Sequence, residues 1–225
     1  MYKIIIILLF FSLNSCNGQE SEKTESKRKT ESKKKEFTME RFDIDKFNKN
    51  QQNNVWTYID EDGNSVRATK NESIVFENNE YTTKNKMDGY TIEVKTKKSP
   101  FNINKNFHAN GFLKMIGTSF HNGFLKGIWK EYNEKGEFIK EVDYDIPYKS
   151  YPWEKVEQFL LSKKVDLMDP LTNVFRELND QNIPTWYLDW DTGKKNASMF
   201  QIIENVEIDA KTGKIIKEYQ TFREP

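Results

Sequence analysis

The residues best able to do chemistry in this chain are few. It has two histidines, His108 and His121, and one cysteine, Cys16. The histidines stand at equivalent places in a repeated stretch, as Phe107-His108 and Phe120-His121. Adjacent hairpins that brought them together would offer two nitrogen ligands, whereas a catalytic zinc site takes three protein ligands. The plainer reading is two exposed or half-buried imidazoles beside aromatic rings, and no metal or other cofactor is expected. Carboxylates are plentiful, but no spacing singles out a pair for glycoside hydrolysis. No Gly-x-Ser-x-Gly elbow occurs. Asp60, Asp62 and Asn64 have the first spacings of a calcium loop, yet Gly63 falls at position four and Asn71 fills the twelfth place. That stretch is expected to be a hairpin turn. Thr212-Gly213-Lys214 lacks the glycine-rich stretch and following helix of a phosphate loop. Trp56, Trp129, Trp186 and Trp190 all fall on predicted strands, where core packing is expected and glycan stacking is the alternative. Trp186, Trp190, His108 and His121 are the candidate binding residues, and no catalytic residue stands out.

The elements that must position these residues centre on Phe107–Asp145. Phe-His-Ala-Asn-Gly-Phe-Leu-Lys at 107–114 returns one residue shorter at 120–126, and a looser copy runs from Tyr132 to Lys140. Gly111, Gly123 and Gly136 mark the period. Asn110-Gly111 and Asn122-Gly123 are strong turn signals, because both residues tolerate positive φ, and Lys135-Gly136 is a weaker one. An aromatic precedes each turn (Phe107, Phe120, Tyr132) and an apolar residue follows it (Leu113, Leu125, Phe138). A hairpin cannot bury its own apolar face, so this short array is expected to continue into upstream strands or to dock on the downstream segment.

The pattern Gly111, Leu113, Gly117, Gly123, Gly127, Trp129, Tyr132, Gly136 resembles the variant MORN repeat of bacterial antitoxin-like repeat proteins. The resemblance implies a β-hairpin repeat sheet in which Gly111, Gly123, Gly127, Trp129 and Gly136 are structural. It implies little about ligand, since one fold hosts many functions.

Formal net charge is zero, with 35 basic and 35 acidic residues. Such a chain has no overall field to draw it to nucleic acid. At the N-terminus, Met1-Tyr2-Lys3 precedes an apolar run, Ile4–Leu13, too short to span a bilayer and suited to a signal-peptide core. The run ends in Leu13-Asn14-Ser15-Cys16, which resembles a bacterial lipobox, although Asn14 stands where a smaller residue is commoner. The resemblance implies residues 1–15 as signal peptide and a lipidated Cys16 that anchors the mature protein in the cell envelope, by inference at a Gram-negative outer membrane. Multiple acyl chains on one residue give stable anchoring. Asn17–Glu36 has no aromatic or aliphatic residue, so residues 16–36 are expected to form a solvated tether. Its span would be roughly 25 Å.

Globular sequence starts near Phe37. The spacing of Met39, Phe42 and Phe47 predicts a short helix or packing anchor. Strands are predicted at Val55–Ile59, Ser65–Thr69, Ile74–Phe76 and Tyr90–Val94, with turns at Asp60–Asn64, Asn78-Asn79 and Asp88-Gly89. Beyond the repeat domain, residues 37–146, the pattern changes. Pro152 opens a predicted helix over Trp153–Lys163, with Trp153, Val156 and Leu160 on one face. Strands follow at Thr172–Leu178, Thr185–Trp190, Val206–Asp209 and Ile215–Tyr219, with turns at Asp191-Thr192-Gly193 and at Gly213. One helix followed by antiparallel strands makes an α+β layer. Residues 147–225 resemble the PepSY-type domain of secreted and envelope proteins, through the Trp-rich strand and Val206–Ile215. That resemblance implies a non-catalytic module that binds or inhibits peptidases.

The fold expected is mainly β, α+β overall: a hairpin-repeat sheet, then a small helix-on-sheet domain. The function expected is that of a non-enzymatic envelope lipoprotein that binds a protein partner, immunity-like or peptidase-inhibitor-like. A structural module contacting cell-wall polymer is the alternative.

Overall fold

The computed structural model of the chain describes residues 40–76, 83–121 and 123–224. Cys16, the signal-peptide and tether segments, Met39, the Asn78-Asn79 turn and Asn122 lie outside them. The compact unit Thr38–Pro225 holds two antiparallel sheets, one of seven strands and one of four. The fold is mainly β, α+β overall, as the alternation of apolar residues and turns predicts.

The larger sheet is a meander in chain order: β1 (Val55–Ile59), β2 (Ser65–Phe76), β3 (Thr83–Lys95), β4 (Phe101–Phe107), β5 (Leu113–Phe120), β6 (Leu125–Tyr132) and β7 (Phe138–Asp143). The repeat strands β5–β7 thus continue a sheet begun upstream, which supplies the neighbours that a short array needs. One turn design recurs. The Asp60 N–H donates to Asn64 O and the Gly63 N–H to Asp60 O. The same pair of bonds closes His108–Phe112, Phe120–Phe124 and Asn133–Glu137. This is the three-residue loop whose last residue must be left-handed, and φ is positive at Gly63, Gly111 and Gly136. In the first repeat turn positive φ falls on Gly111 and Asn110 contributes its side chain instead, accepting from the Phe112 N–H at 3.1 Å, whereas in the Phe120–Phe124 turn His121 itself takes φ +39°.

Helix α1 (Ile44–Asn50) starts later than the Met39–Phe47 spacing suggests. Asp43 caps it by accepting the Lys46 N–H at 2.9 Å, and an N-cap residue is itself non-helical. Arg41 and Phe42 therefore stay extended, and Arg41 bridges to Phe112. One face of the large sheet closes over this segment, with Phe42, Phe47, Ala68, Tyr90, Phe107 and Leu113 as its core.

The second sheet runs in the order β11 (Ile215–Arg223), β10 (Gln201–Asp209), β9 (Pro184–Lys195), β8 (Asn173–Leu178). Helix α2 (Trp153–Ser162) lies on it and buries Trp153, Val156 and Leu160, the face its spacing predicts. The helix ends at Lys164, which takes φ +60°, while the Val165 N–H reaches back to Leu160 O at 3.1 Å. That is a Schellman-type stop made without glycine.

Two predicted turns and one predicted strand break are corrected by the register. Ser65–Thr69 and Ile74–Phe76 are one strand, β2. Asp88-Gly89 is a bulge inside β3, opposite the register shift at Asn71/Glu72. Gly89 is needed there, because a Cβ would lie 2.0 Å from the Phe107 carbonyl oxygen. Asp191-Thr192-Gly193 is likewise a bulge inside β9, opposite the shift between Gln201 and Ile203, and the chain turns later, at Asn196–Phe200. In each case the glycine signals positive φ, which a bulge uses as readily as a turn.

Candidate functional site

Strand geometry sends alternate residues to opposite faces. In the large sheet the face away from α1 is polar. Directly opposed residues across β2, β3, β4 and β5 make one row of Arg67, Glu93, Asn104 and Gly117. A second row holds Thr69, Thr91, Asn106 and Met115, and a third Ser65, Lys95, Asn102 and Ser119. Asparagine recurs on this face because β4 reads Phe-Asn-Ile-Asn-Lys-Asn-Phe, with Asn at period two. The side chains are tied crosswise. Asn71 Nδ2 donates to Thr91 Oγ1 at 2.7 Å, and Thr91 Oγ1 donates to Asn106 Oδ1 at 3.2 Å. Asn102 Nδ2 donates to Glu93 Oε1 at 2.8 Å, and Asn104 Nδ2 to Ser119 Oγ at 2.8 Å. Amide and hydroxyl groups held this way are pre-oriented, so little side-chain entropy remains to be lost on binding.

The face ends in an aromatic step. Gly117 stands under Trp129: a Cβ there would lie 2.0 Å from the indole. The indole N–H donates to Thr118 O at 3.2 Å, and the ring meets Tyr144 edge-on with centroids 6.2 Å apart. Met115 and Val142 complete a small cavity of about 50 Å³ beside it.

Where the two sheets meet, Arg176 of β8 is 95% buried as a side chain and pairs with Asp145 Oδ1 at 2.7 Å. It also donates to the carbonyls of Leu125 and, at 3.0 Å, Tyr144. Its guanidinium lies over Phe124, Tyr148 and Trp186, at 4.6, 4.4 and 5.1 Å from the ring centroids. Burial pushes the Tyr148 phenol up, and the Arg176 charge works against that. The group is a staple: every polar contact of the guanidinium is to the chain itself.

A cleft of about 830 Å³ lies between the end of α2 and the β9 bulge. Its carboxylates are engaged locally. Asp166 accepts from the Met168 N–H at 2.9 Å, Asp169 from Leu171 at 2.8 Å and Asp191 from Gly193 at 2.8 Å. Glu218 pairs with Lys163 at 3.6 Å. These are turn and surface contacts, and none poises an acid against a base. Among the described residues, no group of three or more His, Cys, Asp or Glu could hold a metal.

The histidines do not meet. His108 and His121 flank β5 at its two ends, about 25 Å apart at a strand's rise per residue. Each donates its Nε2–H to a carbonyl, which can only accept: His108 to Tyr132 O at 2.9 Å, His121 to Leu167 O at 3.0 Å. Trp186 is fully buried and Trp190 is 6% exposed, so both pack the core and neither presents a contact surface. The reason is parity: Trp186, Leu188 and Trp190 all share the β9 face that α2 covers. Trp56 is half-buried at the other end of the chain, stacked on Tyr58 with centroids 4.3 Å apart. Asp60–Asn64 is a hairpin turn, in which hydrogen bonds from the Asn64 side chain and backbone hold the Asp60 carboxyl below the usual range.

Sequence reasoning missed the polar face and Arg176. The alternating asparagines of β4 were a legible signal for the first. Nothing in the letters around Arg176 marks it. Comparison with family models, with curated proteins and with solved structures gives no match.

Proposed function

We propose that the chain is a non-enzymatic lipoprotein of the cell envelope, anchored through Cys16, which binds a protein partner with the polar face of its seven-stranded sheet. The observation that carries this reading is the row of half-buried Thr91, Glu93, Asn104 and Asn106, held from beneath by buried Asn102 and Ser119 and bordered by the exposed ring of Tyr144 on buried Trp129. A pre-oriented polar sheet with an aromatic border suits an extended protein surface. The resemblance of the repeat to antitoxin-like proteins favours immunity against a secreted toxin, and the PepSY-like end favours peptidase inhibition. A structural role against cell-wall polymer is the competing outcome.

The test uses the chain from Asn17 as bait against envelope and secreted proteins, with crosslinking and mass spectrometry. One stoichiometric partner, lost on Asn104→Arg with the melting temperature unchanged, is expected. Retention of cell-wall fragments alone would replace the reading. Anchoring is tested separately: Cys16→Ala should move the protein from the membrane to the soluble fraction, and unchanged fractionation would remove the lipoprotein assignment.

A further inference from the structure

Strand β11 ends the four-stranded sheet and, among the described residues, pairs only with β10. It spans nine residues, and all but Arg223 are exposed. Four are large and apolar: Ile215, Ile216, Tyr219 and Phe222 are 46%, 49%, 38% and 56% exposed. Its guards against pairing are few: one bulge at Ile216 and the charges of Lys217, Glu218 and Arg223, with no proline and, among the described residues, no covering element.

Its residue order says what fits there. Two copies joined edge to edge by a two-fold axis perpendicular to the sheet keep each face continuous. Residue i then opposes residue j only if both belong to the same face, so i and j have the same parity. An isologous pair must therefore centre on a single residue that opposes itself. Centred on Tyr219, β11 places Lys217 opposite Thr221 and Glu218 opposite Gln220. No like charges meet across Lys217–Thr221, the stretch this centre pairs within the regular part of the strand; the bulge at Ile216 ends that regular part. Shifting the centre to Lys217 or Glu218 opposes a charge to itself. Centring on Gln220 puts Lys217 opposite Arg223. The other sheet has a comparable exposed edge in β7, where Phe138 and Ile139 are each 55% exposed. There the two longest registers centre on Lys140 and on Glu141, and both set like charges against each other. Like charges directly opposed destabilise a strand pair.

We propose that β11 is a homodimer interface, at which two copies of this chain pair their β11 strands antiparallel about Tyr219. Two four-stranded sheets then become one of eight strands. The existing contacts of β11 to its own sheet, Lys217 with Glu207 and Gln220 with Glu204, are kept.

The chain from Asn17 onward has no cysteine, since Cys16 is the only one, so single-cysteine variants report position cleanly. Sedimentation equilibrium should show a monomer–dimer equilibrium. Under mild oxidation, Tyr219→Cys should give disulfide dimer at least tenfold faster than Thr221→Cys, whose partner cysteine lies four residues along the strand, or Ile139→Cys on β7. Thr221→Lys sets a lysine opposite Lys217 twice over and should weaken the dimer about tenfold, with Thr221→Val close to wild type. A chain that sediments as a monomer at every concentration overturns the proposal. So does crosslinking at position 219 no faster than at 221 or 139.

Discussion

Two turns of this molecule have nearly the same letters and opposite neighbours. Phe107-His108 to Phe112-Leu113 and Phe120-His121 to Phe124-Leu125 close with the same pair of backbone bonds. In the first, the Phe42 N–H donates to Gly111 O at 2.8 Å, and Arg41 lies over the Phe112 ring at 4.2 Å. That turn is buttressed by the start of the folded chain. The second turn enters the other core. Phe124 is 5% exposed and meets Trp186 edge-on at 5.0 Å and Trp153 at 5.5 Å. A strand meander alternates its turns between two ends of the sheet, so consecutive repeats face different surroundings. The repeat therefore specifies how the turn is closed, and strand parity specifies what the turn touches.

The sharpest break of that comparison is at the equivalent phenylalanines. Phe124→Ala should cost about 3–5 kcal/mol, as for a large side chain removed from a packed core. Phe112→Ala, on a half-buried ring held by one guanidinium, should cost about 1 kcal/mol. Urea unfolding of both variants measures the difference. Equal losses would mean that the repeat, rather than its neighbours, sets the energetics.

This difference also shows what the letters could carry. Turns, the α2 face and the buried parity of Trp186, Leu188 and Trp190 are local patterns, and they were legible. The β3 and β9 bulges were not separable from turns, because Gly89 and Gly193 announce only a positive φ. The histidines, read as half-buried imidazoles beside aromatic rings, stay apart for a topological reason: adjacent repeats in a meander put equivalent residues at opposite ends of a strand. The polar face was half legible, in the period-two asparagines of β4, but its rows exist only once the register joins β2 to β5. Arg176 was invisible, because its partners Leu125, Tyr144, Asp145 and Trp186 come from separate parts of the chain.

The turn glycines give the second test. A Cβ on Gly123 would lie 2.3 Å from the Val174 carbonyl oxygen, a backbone atom that cannot step aside alone. Gly123→Ala should therefore cost about 2–3 kcal/mol by overpacking and should speed amide exchange in β8. Gly111→Ala meets the Phe42 oxygen at 3.2 Å and carries φ +84°. Its cost should be about 1–2 kcal/mol, mostly left-handed strain, and β8 should keep its protection. Loss of β8 protection in both variants would contradict separate docking of the two turns.

The smallest effects are at the histidines, and there the location of the effect carries more information than its size. His108 ties its turn to Tyr132, within the same sheet, and His121 ties its turn to Leu167, in the segment that follows α2. Each substitution to alanine removes one donor and leaves one carbonyl without it, about 1 kcal/mol in either case. Global unfolding should barely separate the two variants. Native-state hydrogen exchange should separate them, because local opening follows local contacts. His108→Ala should loosen the amides of Asn133–Glu137, which are also held by Asn110 Nδ2 on Glu134 O at 2.8 Å. His121→Ala should instead loosen the segment around Leu167 and leave Asn133–Glu137 protected. Those two footprints, from one residue type at one repeat position, would separate what the repeat dictates from what its surroundings dictate.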